Sequence, residues 1–202
     1  MSSRNTKLSK LLSYVLRHGA SSLQIYMAHD GLVQVSELLA HEKFRGFRER
    51  DVIAVVDNCP KQRFELVTRD GVLFIRARQG HSIESIDFDE MLERVSDPSS
   101  IPVCIHGTYM KYKQLIKRDG LKRMKRTHIH MIPDYPTKNE VISGMRTTCN
   151  LYIVINVEEA MKAGVAFYRS SNNVILSPGV GPDGCIPPEF LSFHQPGEMG
   201  GN

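Results

Sequence analysis

Several common catalytic signatures are missing from this chain. It has no Walker loop, no G-x-G-x-x-G, no G-x-S-x-G and no H-E-x-x-H, which removes the usual marks of P-loop hydrolysis, Rossmann redox chemistry, serine hydrolysis and zinc proteolysis. The four cysteines, Cys59, Cys104, Cys149 and Cys185, form no C-x-x-C pair; this argues against a zinc site and for free thiols in a reducing compartment. No apolar run approaches the roughly 20 residues that span a bilayer, and no charged-then-apolar leader layout is present. An intracellular, soluble protein of the cytoplasm or nucleus is expected. There is no internal repeat and no low-complexity tract. Nothing calls for a second copy, so a monomer is expected.

What is present is ordinary globular composition, 202 residues with 41% hydrophobic and 24% charged, enough for one large domain or two small ones. The formal charge of +4 is mild. The lysines and arginines cluster, however, at 43–50, 61–63, 76–78 and 111–126, a distribution that favours a polyanionic partner.

In the first half, Leu8, Leu11, Leu12, Val15 and Leu16 recur at helical spacing, predicting a helix that buries one stripe and ends at Arg17-His18-Gly19. Glycine there suits a left-handed exit, and both cations suit the helix terminus. Ser36 is the expected N-cap of a second helix through Leu38, Leu39 and His41, and a third carries Val52, Ile53, Val55 and Val56 before Cys59-Pro60. Segments 63–68 and 72–77 flank Arg69-Asp70-Gly71 and predict a hairpin. Three helices and a hairpin follow the winged-helix order. Such domains often bind nucleic acid, although a solvated basic surface accounts for the charge equally well.

A helix-like acidic run, 87–94, precedes the polar cluster Ser96-Asp97-Pro98-Ser99-Ser100, the best linker. Short apolar segments follow at 102–106, 128–132, 151–157, 165–168 and 174–176, predicting an α+β fold with domains at 1–95 and 96–202. A surface loop is expected over 133–146, a rigid extended piece over 186–190, and a frayed tail from Gly197.

The chemistry concentrates between Ile105 and Met131. His106-Gly107-Thr108 is expected at a strand end, a helix with Leu115 and Ile116 on one face leads to Asp119-Gly120, and the basic run to Arg126 enters His128-Ile129-His130, whose alternation puts both imidazoles on one strand face. Two histidines without a neighbouring cysteine or carboxylate are a poor metal site. Phosphate suits arginine better, because guanidinium stays charged and offers paired donors. Arg17, Arg63 and Arg126 are the candidates, with His18 beside the first.

The combination of Leu16-Arg17-His18, Lys61-Gln62-Arg63-Phe64, Gln79-Gly80-His81-Ser82, His106-Gly107-Thr108, Arg126-Thr127-His128-Ile129-His130, Ser143-Gly144-Met145-Arg146, Tyr168-Arg169-Ser170 and Ile186-Pro187-Pro188-Glu189 resembles the RNA 2′-phosphotransferases of the KptA type, which finish tRNA splicing. The likeness runs from about Lys7 to Phe193. It implies an N-terminal winged-helix RNA lobe, a C-terminal lobe of the ADP-ribosyltransferase fold, and NAD⁺ as co-substrate. It also implies two steps: the RNA 2′-phosphate attacks C1″ of the NAD⁺ ribose and expels nicotinamide, then O2″ attacks phosphorus, releasing a 2′-OH RNA and ADP-ribose 1″,2″-cyclic phosphate.

Carried onto this chain, the family's Arg-His-Arg-Arg catalytic group falls on Arg17, His18, Arg63 and Arg126. The cofactor residues fall on His106, Gly107, Thr108 and His130, with Ser143 and Arg146 toward the ADP phosphates; His128 shares the parity of His130. Lys61, and some of Arg45, Arg48 and Arg50, are expected on RNA backbone. At Ala20 the family usually has proline, a difference expected to loosen the turn that holds His18. Two further readings stay open: ADP-ribosylation of terminal nucleic-acid phosphates, and an RNA-binding module with an inactive transferase lobe.

Overall fold

A computed structural model describes residues 3–136 and 143–198. The chain divides into two compact units, Met1–Met91 and Leu92–Asn202. Residues 92–95 belong with the second unit because a short strand there is paired within it. The expected linker is also folded into it, as a 3₁₀ turn over Pro98–Ser100 capped by the Asp97 carboxylate on the Ser99 N–H.

In the first unit, α1 (Ser3–Tyr14) continues into a π-helical turn, Val15–Gly19. Leu8, Leu12, Val15 and Leu16 are buried as the stripe predicts. The exit is not left-handed at Gly19. The chain runs on through Ala20 (φ −55°) into a 3₁₀ turn, and the left-handed residue is Gln24. Gly19 is small because a Cβ there would lie 2.5 Å from Tyr14 Cε1. Nor is the turn loosened at Ala20, which is buried and whose carbonyl accepts from the N–H groups of Leu23 and Ile25.

Strand β1 (Val33–Gln34) leads into α2 (Val35–Ala40), whose N-cap is Gln34; Ser36 lies inside the helix. Helix α3 (Glu49–Asp57) starts where the Asp51 carboxylate accepts from the Arg48 N–H. Strands β2 (Phe64–Arg69) and β3 (Val72–Ala77) form the predicted hairpin. Its loop is Asp70-Gly71, both with positive φ (49° and 77°), the pairing that matches strand twist. The sheet order is β1-β3-β2, and α1, α2 and α3 close over it on Leu12, Leu38, Phe44, Val52, Val55, Phe64 and Ile75.

The second unit begins with β4 (Glu93–Arg94) in place of the helix expected over 87–94, then β5 (Ile105–Thr108), α4 (Lys113–Asp119), β6 (Leu121–Lys122) and β7 (Ile129–Met131). On α4 only Ile116 is buried, and Leu115 is half exposed. After β8 (Leu151–Ile155) comes α5 (Val157–Lys162), then β9 (Tyr168–Arg169), β10 (Ile175–Ser177), β11 (Cys185–Ile186) and β12 (Leu191–His194). The extended piece expected at 186–190 is divided between β11 and a 3₁₀ turn, Pro188–Phe190.

Mixed helix and sheet make the chain α+β. Two sheets organise this unit, β4-β9-β10-β7 and β12-β8-β5, around a core that includes Leu151, Ile153, Phe167 and Ile175. Among the described residues one isolated bridge joins them. Ile105 and Ile132 exchange both backbone hydrogen bonds at 2.9 Å, an isolated bridge between β5 and the end of β7. Part of the 133–146 loop (137–142) and the end of the tail (199–202) lie outside the described residues. Among the described residues no helix is long and apolar enough to cross a membrane.

Candidate active site

The parting of β5 from β7 shapes the second unit's site. Beyond Ile105–Ile132 the antiparallel register would set Gly107 opposite His130, but the ladder stops after one bridge. The next carbonyl, that of His130, is taken by the imidazole of His106, with Nδ1 at 2.7 Å. A carbonyl only accepts, so Nδ1 carries the proton. Burial pushes the His106 pKa below the ordinary value, outweighing the hydrogen bond that raises it, and Arg126 lowers it further. His106 is therefore neutral near pH 7, and its Nε2 is an acceptor.

Backbone direction alternates along a strand. Cys104 and Thr108 carbonyls accept from the β8 side, from the N–H groups of Ile155 and Asn150, and Ile105 turns to β7. By the same alternation the N–H and C=O of Gly107 face the gap. Its Cα face is filled by the protein itself: a Cβ would overlap Met145 and lie 2.8 Å from Cys149 Sγ. Met145 is buried with Ile105 and Ile132. The glycine is thus required first by this packing. Thr108 shares the strand face of His106.

Two guanidiniums border the gap. Arg126 Nη1 lies 3.5 Å from His130 Nδ1. The surrounding protein, and secondarily Arg146, hold the Arg126 pKa below the usual arginine value although the side chain touches solvent. Among the described residues neither Arg126 nor Arg146 ion-pairs with a carboxylate, whereas Arg118 and Lys122 do. Arg146 and Thr148 hydrogen-bond the Tyr109 phenol, Thr148 at 2.9 Å, and lower its pKa, Thr148 more. Ser143 starts this returning segment, and beside it a Cβ on Gly144 would lie 2.9 Å from Val174 Cγ1 and 3.3 Å from the Met131 carbonyl.

His128 takes a different environment. Its ring meets Tyr168 edge-on (centroids 6.0 Å, 82°), and its Nδ1 lies 3.0 Å from the Thr127 hydroxyl. Burial, with help from Arg123, pushes its pKa down to about 4. Shared parity with His130 does not give it the same contacts, and only His130 engages Arg126 among the contacts described.

In the first unit, Arg17 and His18 are held by segment 79–82. The Ser82 N–H donates to the Arg17 carbonyl at 2.9 Å, and His18 Nδ1 lies 2.9 Å from the Ser82 hydroxyl. Gly80 (φ +92°) lies against the Arg17 guanidinium, where a Cβ would sit 3.4 Å from Cζ. Arg63 sits at the base of the hairpin, across from the residue that precedes this segment: its carbonyl accepts from the Arg78 N–H, and its Nη1 lies 3.4 Å from Cys59 Sγ. Lys61 adjoins it; burial, then the Arg63 charge, lower the lysine pKa. Arg48 and Arg50 are exposed at the far end of α3, nine residues or about 13 Å of helix away from the end that leads to Lys61.

The profile of the RNA 2′-phosphotransferase, Tpt1 / KptA family matches residues 3–179. The tRNA 2′-phosphotransferase 1 of Danio rerio is 49% identical over 196 residues, covering 96% of this chain and 86% of that protein. The chain belongs to the RNA 2′-phosphotransferase, Tpt1 / KptA family. The Saccharomyces cerevisiae tRNA 2′-phosphotransferase is 35% identical over 88% of this chain and 80% of its own length. A probable RNA 2′-phosphotransferase of Rhizobium johnstonii is 31% identical over 93% of both.

Within this family member, sequence reasoning named the charged groups and missed their supports. Ser82, Tyr109 and Arg123 carry no pattern of their own in the sequence. Ser82 stood in the family motif without a role, and Arg123 was indistinguishable from the surrounding basic run.

Proposed function

We propose that this chain is an NAD⁺-dependent RNA 2′-phosphotransferase that clears an internal 2′-phosphate from spliced tRNA, with nicotinamide and ADP-ribose 1″,2″-cyclic phosphate as the other products. Family membership supports the phosphotransferase reading, and the tRNA relatives support the substrate. In this reading the first unit is a winged-helix RNA lobe and the second an ADP-ribosyltransferase fold.

One observation carries the cofactor: the gap between β5 and β7 offers a neutral imidazole acceptor, a peptide edge that faces it and two guanidiniums with no carboxylate partner among the described residues. That donor set fits NAD⁺. His106 Nε2 accepts from a ribose hydroxyl, the N–H and C=O of Gly107 meet a primary carboxamide, and Arg146 with Ser143 takes the diphosphate. Thr108 and His130 line the same edge. When bound, NAD⁺ supplies an electrophilic ribose carbon with nicotinamide as leaving group, and a neighbouring hydroxyl for the phosphorus.

Arg17, Arg63 and Arg126 are assigned to the RNA 2′-phosphate, where charge develops on phosphoryl oxygens; losing one such arginine costs about 10³- to 10⁵-fold. His18, whose Nδ1 lies against the Ser82 hydroxyl, is assigned to moving a proton at the RNA 2′-oxygen. Lys61, Arg48 and Arg50 contact RNA backbone.

The test is a 2′-phosphorylated oligonucleotide incubated with and without NAD⁺. Loss of phosphate only with NAD⁺, with nicotinamide released, is expected; phosphate retained in both tubes by folded protein refutes the proposal. A stable ADP-ribose adduct on terminal phosphates would instead favour end modification.

A further inference from the structure

Arg126 projects from a turn whose geometry is held by one neighbour. The Arg126 N–H donates to the Arg123 carbonyl at 3.2 Å, and Arg123 Nη1 crosses back to the Arg126 carbonyl at 2.9 Å. Between them Met124 is 79% exposed yet sits at φ +59°, a conformation that costs a non-glycine residue energy and persists only where its surroundings impose it. The imposing contacts come from one side. The Arg123 N–H donates to the Gly184 carbonyl at 2.9 Å. The stem of Arg123 lies where any Cβ on Gly184 would overlap its Cδ and Nε. Both ends are carried by the β6–β11 ladder, Lys122 opposite Cys185. An exposed methionine gains nothing from this turn; what the turn fixes is the direction of Arg126.

We propose that Arg123 is a positioning residue that clamps the 123–126 turn and so aims the Arg126 guanidinium. The inference rests on Arg126 acting in the reaction. It assigns Arg123 no contact with substrate. Met124 bears the strain, Arg123 holds it, and Gly184 leaves room for the clamp.

The test measures kcat, the KM for NAD⁺ and the melting temperature of R126A, R123M, R123K, M124G and R123M/M124G on a 2′-phosphorylated oligonucleotide. R123M is expected to lose about 10- to 100-fold in kcat, the fold-change of one charge-assisted hydrogen bond, with KM for NAD⁺ within twofold and a cooperative melt that shows the protein still folded. R123K, which keeps a donor, recovers most of it. M124G alone is near wild type, and in the R123M background it restores activity because glycine adopts the turn without a clamp. Activity of R123M within twofold of wild type, with R126A inactive, overturns the clamp and leaves the functional reading standing. Failure of M124G to restore R123M also overturns it, because the loss is then one of charge. Full activity of R126A overturns both. Should R123M not fold, R123Q, too short to span the turn, is measured in its place.

Discussion

Replacing Gly107 by alanine separates two explanations for a glycine at the site. The added methyl would overlap Met145 and approach Cys149 Sγ to 2.8 Å, and Met145 is only 9% exposed, so it has little room to yield. Overpacking of this kind costs about 1–3 kcal/mol, which lowers the melting temperature by about 2–4 °C per kcal/mol in a chain of this size. M145A alone opens a cavity and costs about 2–5 kcal/mol. In G107A/M145A the new methyl enters the space that Met145 vacates. The double variant should therefore be more stable than the sum of its parts by at least about 1 kcal/mol. Calorimetric melts of the four proteins measure the coupling. Costs that add to within about 0.5 kcal/mol would mean that the side chain of Met145 is not what Gly107 accommodates, and the packing argument fails.

Other expectations follow from the same contacts. S82A should reduce kcat about 2- to 12-fold, the worth of one ordinary hydrogen bond, while RNA affinity is unchanged; wild-type turnover removes Ser82 from the support of His18. His128, with a folded pKa of about 4 against 6.5, stays neutral in the folded state while the unfolded chain takes up a proton. Its contribution is complete above pH 6.5 and is lost as pH falls toward 4, about 3 kcal/mol in all. Urea midpoints of H128Q should fall less over that interval than those of wild type, and parallel curves would refute the assignment. K61A should weaken RNA binding and flatten its salt dependence by about one phosphate contact, and R48A/R50A by up to about two, with turnover at saturating RNA little changed; an unaltered salt slope would remove these residues from the RNA backbone.

Local patterns announced much of this structure. The Leu8–Leu16 stripe, the Asp-Gly hairpin and the alternation at Ile129 to Met131 depend on neighbours in sequence, so α1, β2, β3 and β7 were legible. Helix α5 could have been found: Asn156 accepts from the Glu159 N–H at 3.2 Å and has glutamate at the third helical position, but the apolar β8 run concealed it. Gly19 was misread because the space its Cβ would need is taken by the Tyr14 ring one turn earlier, which no capping pattern signals. Leu115 shows the limit of periodicity on a helix of seven residues, where one turn decides which face is covered. At the site, residue types gave the chemistry. The tautomer of His106, the peptide edge of Gly107 and the separate fates of His128 and His130 required the strand registers, which pair residues over 20 apart.

The single Ile105–Ile132 bridge has a mechanical consequence. Among the described residues the two leaves share one pair of main-chain hydrogen bonds, exchanged between buried isoleucines, so spreading them would break neither ladder. The stitch sets how far the mouth gapes, and the imidazole one residue along acts as its latch. Slow hydrogen exchange at the Ile105 and Ile132 amides would therefore report directly on breathing of the mouth.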